Sequence, residues 1–144
     1  MHLIVDIDGT IADNTHRQHL LSQEPRAWDE YHDLCHLDTP ITAIHELIWG
    51  LFFQGHDPVY VTGRMERSRL KTELWLTKHG FPRGPLYMRP ENDHRDDVVI
   101  KTELAAKAGL SPSNVLLALD DRDRVVKMWR EAGYRCLQVA EGDF

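Results

Sequence analysis

Residues 114–119, Asn-Val-Leu-Leu-Ala-Leu, form an unbroken apolar run. Such a run marks a strand buried on both faces, as in a parallel sheet flanked by helices. Four more β-type segments are His2–Val5, Val59–Val61, Pro85–Met88 and Arg135–Val139. Helical patterns lie between them. Thr39–Pro40 reads as a helix start, with Pro at the first helical position and Ile41, Ile44, Leu47, Ile48 and Leu51 at helical spacing before Gly55. A second helix is expected from Glu66 to His79, with Leu70 and Leu74 on one face and Gly80 as its stop. A third runs from Asp96 to Ala108 before Gly109, and a fourth from Arg124 to Ala132. Strands alternating with helices in this way predict an α/β fold, a doubly wound (Rossmann-like) parallel sheet of five strands.

The 144 residues suit a single domain over 1–144. No apolar run approaches the ~20 residues of a membrane span, and no leader pattern opens the chain. The two cysteines, Cys35 and Cys136, make no disulfide framework, and a cytoplasmic setting is expected. A net charge of −6 argues against broad, stable binding to long nucleic acid. One segment breaks the alternation. Residues 13–38 are too long for an ordinary strand-to-helix loop and read as a small, partly helical flap.

In an open parallel sheet, ligands gather at the carboxyl ends of the strands. Three of those ends carry polar groups: Asp6-Ile7-Asp8-Gly9-Thr10, Thr62-Gly63-Arg64 and Asp120-Asp121-Arg122. Strand periodicity puts Asp6 and Asp8 on one side, and Gly9 lets the chain turn away. Lys101, within the third helix, adds a cation. Singly, each has an ordinary reading. Asp-x-Asp can cap a loop, Thr-Gly-Arg can be a plain turn, Asp120 and Asp121 can open a helix, and Lys101 can be a solvated lysine. Carboxylates at the first and fourth strand ends, with a hydroxyl and a cation between them, make the set more than coincidence.

In that order, Asp-x-Asp, Thr, Lys and Asp-Asp, the chain resembles the haloacid-dehalogenase (HAD) superfamily along essentially its whole length. Asp120-Asp121-Arg122, Val125-Val126, Met128-Trp129-Arg130, Gly133, Cys136, Gln138-Val139-Ala140 and Gly142-Asp143-Phe144 are similar to the 3′-phosphatase domain of phage polynucleotide kinase. Arg17, Arg95, Asp97 and Lys101 fall at the same family's spacing. No G-x-x-x-x-G-K-[ST] loop is present, so no kinase half is expected within this stretch. The insert between Asp8 and Thr62 is longer than in the phage domain. Too little chain separates Thr62 from Lys101 for a large cap domain.

The resemblance implies a Mg2+-dependent phosphatase. Asp6 is the nucleophile that becomes an aspartyl-phosphate, and Asp8 the general acid and base. Mg2+ is held by the Asp6 side chain, the Asp8 backbone carbonyl and Asp120. Asp121 is either a water-mediated ligand or an orienter of Lys101. Thr62 and Gly63 hydrogen-bond the phosphoryl oxygens, Lys101 compensates their charge, and Arg64, Arg17 and Arg95 reach the substrate's phosphate or its neighbours. Arg17, read as a loop arginine, is expected to contribute little to the core. The substrate expected is a phosphorylated 3′ end of a nucleic acid or nucleotide, with free mononucleotides as the alternative. A receiver domain, also phosphorylated on aspartate, is set aside because the third strand ends Tyr87-Met88-Arg89-Pro90 without an acid. His32, Cys35 and His36 share a helical face and invite a zinc reading, against which structural or surface roles are favoured. Trp28 and Tyr31 suit stacking on a base or, preferably, packing of the flap onto the core.

Overall fold

Leu3, Ile4 and Val5 are each no more than 1% exposed, so the first strand, β1 (His2–Val5), is covered on both faces. Its side chains alternate. Ile4 joins one apolar cluster, and Leu3 and Val5 the other. The computed structural model, which describes residues 1–144, continues through β2 (Ala12–Asp13), α1 (Trp28–Asp33), β3 (Thr39–Pro40), α2 (Thr42–Phe53) and β4 (Asp57–Met65). It then runs through α3 (Arg69–Lys78), β5 (Leu86–Arg89), α4 (Asp97–Lys107), β6 (Val115–Asp120), α5 (Asp123–Glu131) and β7 (Cys136–Gln138). Five strands form one sheet in the order β5-β4-β1-β6-β7, and every pairing in it is parallel. The doubly wound α/β fold expected from the sequence is the one observed.

The same alternation fills the two faces. Val59, Val61 and Ala118 join Ile4 beneath α4 and α5, with Ile100, Leu104, Val125 and Trp129 from those helices. Tyr60 and Leu119 join Leu3 and Val5 on the opposite face, with Ile48 of α2 and Trp75 and Leu76 of α3. The central position of β1 sets the register: Val5 lies beside Tyr60 of β4 and Leu119 of β6. Asp6 therefore emerges level with Val61 and Asp120.

Three local expectations are corrected. Thr39–Pro40 does not begin a helix; it pairs antiparallel with Ala12–Asp13, and the helix starts at Thr42. Pro40 has no N–H to give, and the next amide, that of Ile41, donates to the Ile11 carbonyl at 2.8 Å. This two-stranded stalk closes the base of the 13–38 insert. The strand expected over 59–61 runs on to Met65, so Thr62-Gly63-Arg64 lies inside β4 rather than in a turn beyond it. Leu70 and Leu74 are 67% and 59% exposed. Helix α3 follows a 3-10 turn over Glu66–Ser68 and buries Thr72, Trp75 and Leu76 instead. The cause is polar as well as apolar: the Trp75 indole donates to the Asp38 carbonyl at 2.8 Å, and Thr72 accepts from Arg64 at 3.0 Å.

No helix is long and apolar enough to cross a membrane. The orientation of α3 gives a direct test by urea denaturation. Leu76→Ala should lose about 2–5 kcal/mol, because its side chain fills the core. Leu74→Ala should stay within about 0.5 kcal/mol of the parent, as exposed sites do. Equal losses in the two variants would contradict this face assignment.

Candidate active site

The β1–β6 register brings Asp6, Asp120 and Asp121 together. One carboxylate oxygen of each lies within 4.8 Å of the others, and all three residues are buried. No other group of three or more potential metal ligands forms in the chain. Lys101, reaching from α4 and only 2% exposed, donates to Asp6 Oδ1 at 2.8 Å and to Asp120 Oδ2 at 2.7 Å. Thr10 donates to Asp6 Oδ2 at 2.8 Å. Burial pushes the Asp6 carboxyl well above its usual range; Lys101 opposes this, while Asp120 and Asp121 reinforce it. Burial, then Asp120, pushes Asp121 up to about 6. For Lys101, burial is overcome by Asp120 and Asp6, which hold it firmly protonated. Gly9 is required here. Its φ is +78°, and a Cβ on it would stand 2.1 Å from Asp121 Oδ2.

Asp8 sits in a second network. Its carboxylate accepts from Arg17 Nη2, from Arg64 Nη2 at 2.7 Å and from Arg64 Nε at 3.1 Å. Both guanidiniums also grip Asp38, with Arg17 Nε at 2.9 Å, Arg17 Nη2 at 2.7 Å and Arg64 Nη2 at 3.2 Å. The remaining contacts are Arg17 to the Tyr31 carbonyl at 3.1 Å and Arg64 to Thr72. Burial alone would raise the Asp8 carboxyl, but Arg64 and Arg17 outweigh it and hold Asp8 far below the ordinary carboxylate range. Arg17 is 0% and Arg64 1% exposed, so neither is a loop arginine with a free head. Each is a buried clamp whose donors are mostly spent on protein acceptors. Asp38 escaped sequence reading because only the fold brings it to Arg17 and Arg64.

The remaining candidates divide. Gly63 lines the cleft, whereas Thr62 lies fully buried, its hydroxyl accepting the Arg64 N–H at 3.1 Å. Arg95 stands at the rim and is committed to Asp93 and Glu103, each at 2.7 Å. Asp97, four residues before Lys101 on the same helix face, packs against Gly63 and binds Arg89 and, at 3.0 Å, Arg122. Its place at the family's spacing, beside Arg95 and Lys101, is the signal that marks it in the sequence. His32, Cys35 and His36 do not converge on a metal site: α1 ends at Asp33, Cys35 and His36 lie in a separate 3-10 turn, His36 bonds the Asp33 carbonyl, and Cys35 is buried. Tyr31 packs within the insert, with the Arg17 guanidinium 4.1 Å from its ring centre, while Trp28 remains 43% exposed. Asp6, Asp8, Gly63, Lys101, Asp120 and Asp121 all border one cleft of about 420 Å3.

Removing one member of the Arg17–Arg64–Asp8–Asp38 network leaves buried charge without its partner. Arg17→Ala should therefore lose about 3–5 kcal/mol of stability in chemical denaturation, contrary to the expectation for a loop arginine. A loss below about 1 kcal/mol, the usual limit for exposed pairs, would show the network to be marginal.

A curated protein of Autographa californica nuclear polyhedrosis virus, described as a putative bifunctional polynucleotide kinase/RNA ligase, is 30% identical over 132 residues. The match covers 90% of this chain and 18% of that protein. A chain in a Pnkp1/Rnl/Hen1 complex superposes with a TM-score of 0.85 at 31% identity, covering 99% of this chain and 47% of its own length. This chain thus spans less than half of either relative. The class C acid phosphatase of Bacillus anthracis, at 18% identity and a TM-score of 0.63 over 84% of this chain and 51% of its own, shares the fold. Across residues 1–144 the sequence matches the family described as the polynucleotide kinase PNKP phosphatase domain, and the chain belongs to that family of HAD-type phosphoric monoester hydrolases.

Proposed function

We propose that this chain removes 3′-phosphate from nucleic-acid or nucleotide ends, as a Mg2+-dependent phosphatase working through an aspartyl-phosphate. The observation that carries the reading is the charge balance at the strand ends. Three buried carboxylates face a single buried lysine, a deficit that one divalent cation would cancel. All the side-chain donors there are hard oxygens, which suit Mg2+. Asp6, Asp120 and Asp121 would hold it, with the Asp8 backbone carbonyl, since the Asp8 side chain is occupied by arginine. Bound there, Mg2+ supplies positive charge against the phosphoryl oxygens and offsets the repulsion among the three carboxylates.

In the first step an Asp6 oxygen bonds to phosphorus as the ester bond to the leaving 3′ oxygen breaks. Asp8 gives that oxygen its proton. In the second step Asp8 takes a proton from water, whose oxygen attacks phosphorus; phosphate leaves and the Asp6 carboxylate is restored. The arginine clamp fixes where the Asp8 carboxyl stands, and a phosphate dianion beside it favours its protonated form. Lys101 and the Gly63 amide stabilise charge on the transferring group. The 3′-end assignment follows the resemblance to the phage 3′-phosphatase domain, and the nucleic-acid substrate follows the polynucleotide kinase named for the viral relative and for the matched family. A nucleotidase acting on free mononucleotides is the second reading, because Asn14, Gln18, Leu21 and Trp28 of the insert wall one side of the cleft. We read residues 13–38 as the flap of a single domain. Two buried, free cysteines suit a cytoplasmic setting.

The cation has a readout independent of activity. Mg2+ at about 100 times its Kd should add about 2.7 kcal/mol to the folded state, measured as a rise in Tm. Asp120→Asn should lose most of that rise, and EDTA should abolish turnover. An EDTA-treated protein that keeps full activity would rule out the metal assignment.

The substrate follows from a panel of a 3′-phosphorylated oligonucleotide and 3′- and 5′-mononucleotides. A short 3′-phosphorylated oligonucleotide should be the best substrate, with little gain from lengthening it beyond a few nucleotides. Asp6→Asn should reduce turnover to background. Preference for 5′-mononucleotides would give the nucleotidase reading instead.

A further inference from the structure

Tyr31 and Trp28 stand three residues apart in α1, yet only Tyr31 is used to seat the insert. Tyr31 is 6% exposed; its hydroxyl accepts from Asn14 at 2.8 Å, and its ring lies beneath Arg17. Trp28, at 43% exposed, borders the cleft that holds Asp6 and Asp8. The indole is braced rather than loose. Tyr31 meets it edge-on at 6.0 Å and 88°, and His32 lies near-parallel to it at 5.9 Å and 20°. Burial holds His32 toward its neutral form, so that brace is an aromatic ring and not a cation. All six arginines bordering the cleft are already taken: Arg64, Arg67, Arg89, Arg95, Arg122 and Arg124 each pair with a carboxylate. Arg26 is exposed, makes no ion pair or hydrogen bond, and places its Cζ 5.9 Å from the Trp28 ring centre. It does not border the cleft itself, and its guanidinium lies over the Trp28 ring.

We propose that Trp28 is the stacking platform for the 3′-terminal base and that Arg26 contacts the phosphodiester on its 5′ side. This rests on the function proposed above and adds how a nucleotide is recognised. A held, half-exposed indole suits any base, because every base offers a π face. A cation beside it with no carboxylate partner gives a second contact, to a phosphodiester that only a chain of two or more nucleotides offers. The pair therefore selects a polynucleotide end over a mononucleotide, without reading sequence.

The test uses kcat/KM for three substrates: a 3′-phosphorylated oligonucleotide, the same oligonucleotide with an abasic 3′-terminal residue, and a 3′-mononucleotide. Trp28→Ala should cut the preference for the base-bearing over the abasic oligonucleotide about tenfold, within the range of one base–aromatic stack. The loss should sit in KM, and Trp28→Phe should restore most of it. Arg26→Gln should lower the oligonucleotide-over-mononucleotide preference and flatten the dependence of log KM on log salt by about 0.7, the value for one single-strand phosphate contact. An unchanged base preference in Trp28→Ala, or equal losses on base-bearing and abasic ends, overturns the platform. An unchanged salt slope in Arg26→Gln overturns the phosphodiester contact. Wild-type protein that hydrolyses none of the three substrates overturns the proposed function itself, a result distinct from active wild type with indifferent variants.

Discussion

Repulsion among Asp6, Asp120 and Asp121 is the constraint around which the molecule is arranged. Unit charges about 4 Å apart repel by about 4 kcal/mol even at an effective dielectric near 20, and these carboxylates lie within 4.8 Å of one another with little water. Parallel pairing of β1 with β6 forces the approach, since the register that aligns Val5 with Leu119 aligns Asp6 with Asp120. Lys101 answers part of it. It reaches both acids from α4, a helix that Ile100, Leu104 and Ala105 fix against the sheet. Backbone closeness adds to the squeeze: a Cβ on Gly142 would lie 1.9 Å from the Asp121 carbonyl oxygen.

The second ionic network differs in kind, because its charges balance. Arg17 and Arg64 face Asp8 and Asp38, two cations against two anions. It also crosses the fold: Arg17 comes from the insert, Arg64 from β4, Asp8 from the turn after β1, and Asp38 from just before β3. Asp38 is tied further to His16 at 2.7 Å and, through its carbonyl, to Trp75 of α3. The insert that borders the cleft is thus anchored by the same groups that hold the Asp8 carboxyl. Access to the cleft and the setting of Asp8 are one structural problem.

The sheet was legible because burial on both faces leaves a mark in the chain itself. Asn114–Leu119 and His2–Val5 read as strands without help from their neighbours. The acids at their ends were legible for the same reason, as polar residues where an apolar run stops. Local pattern failed where a long-range partner decided the outcome. Leu70 and Leu74 have helical spacing, but Trp75 and Thr72 turn α3 the other way to meet Asp38 and Arg64. Pro40 suits the start of a helix equally well, and only pairing with Ala12 makes it a strand residue. Arg17 carried the right spacing from Asp8 but not its burial. That depends on Asp38, twenty-one residues away in sequence and in contact only once β2 and β3 pair.

Asp6 and Asp8 show how a two-residue separation can give opposite electrostatic settings. Burial and neighbouring acids disfavour the Asp6 carboxylate, while two guanidiniums favour that of Asp8. The division is one of partners. The proton placement that the proposed steps need, an ionised Asp6 and a protonated Asp8, is what a divalent cation at Asp6 and a phosphate dianion beside Asp8 would favour. The division persists because the residue between the two acids cannot rotate. Ile7 is fully buried in the apolar cluster beneath α2 and α3. Its carbonyl accepts from the amides of Thr10, Ile11 and Ala12 at 3.0–3.1 Å, and the Gly9 amide closes the turn on the Ala12 carbonyl at 2.9 Å. With Ile7 anchored on both its side chain and its backbone, Asp6 stays committed to Lys101 and Asp8 to the arginines. Exchanging their settings would require withdrawing Ile7 from the core.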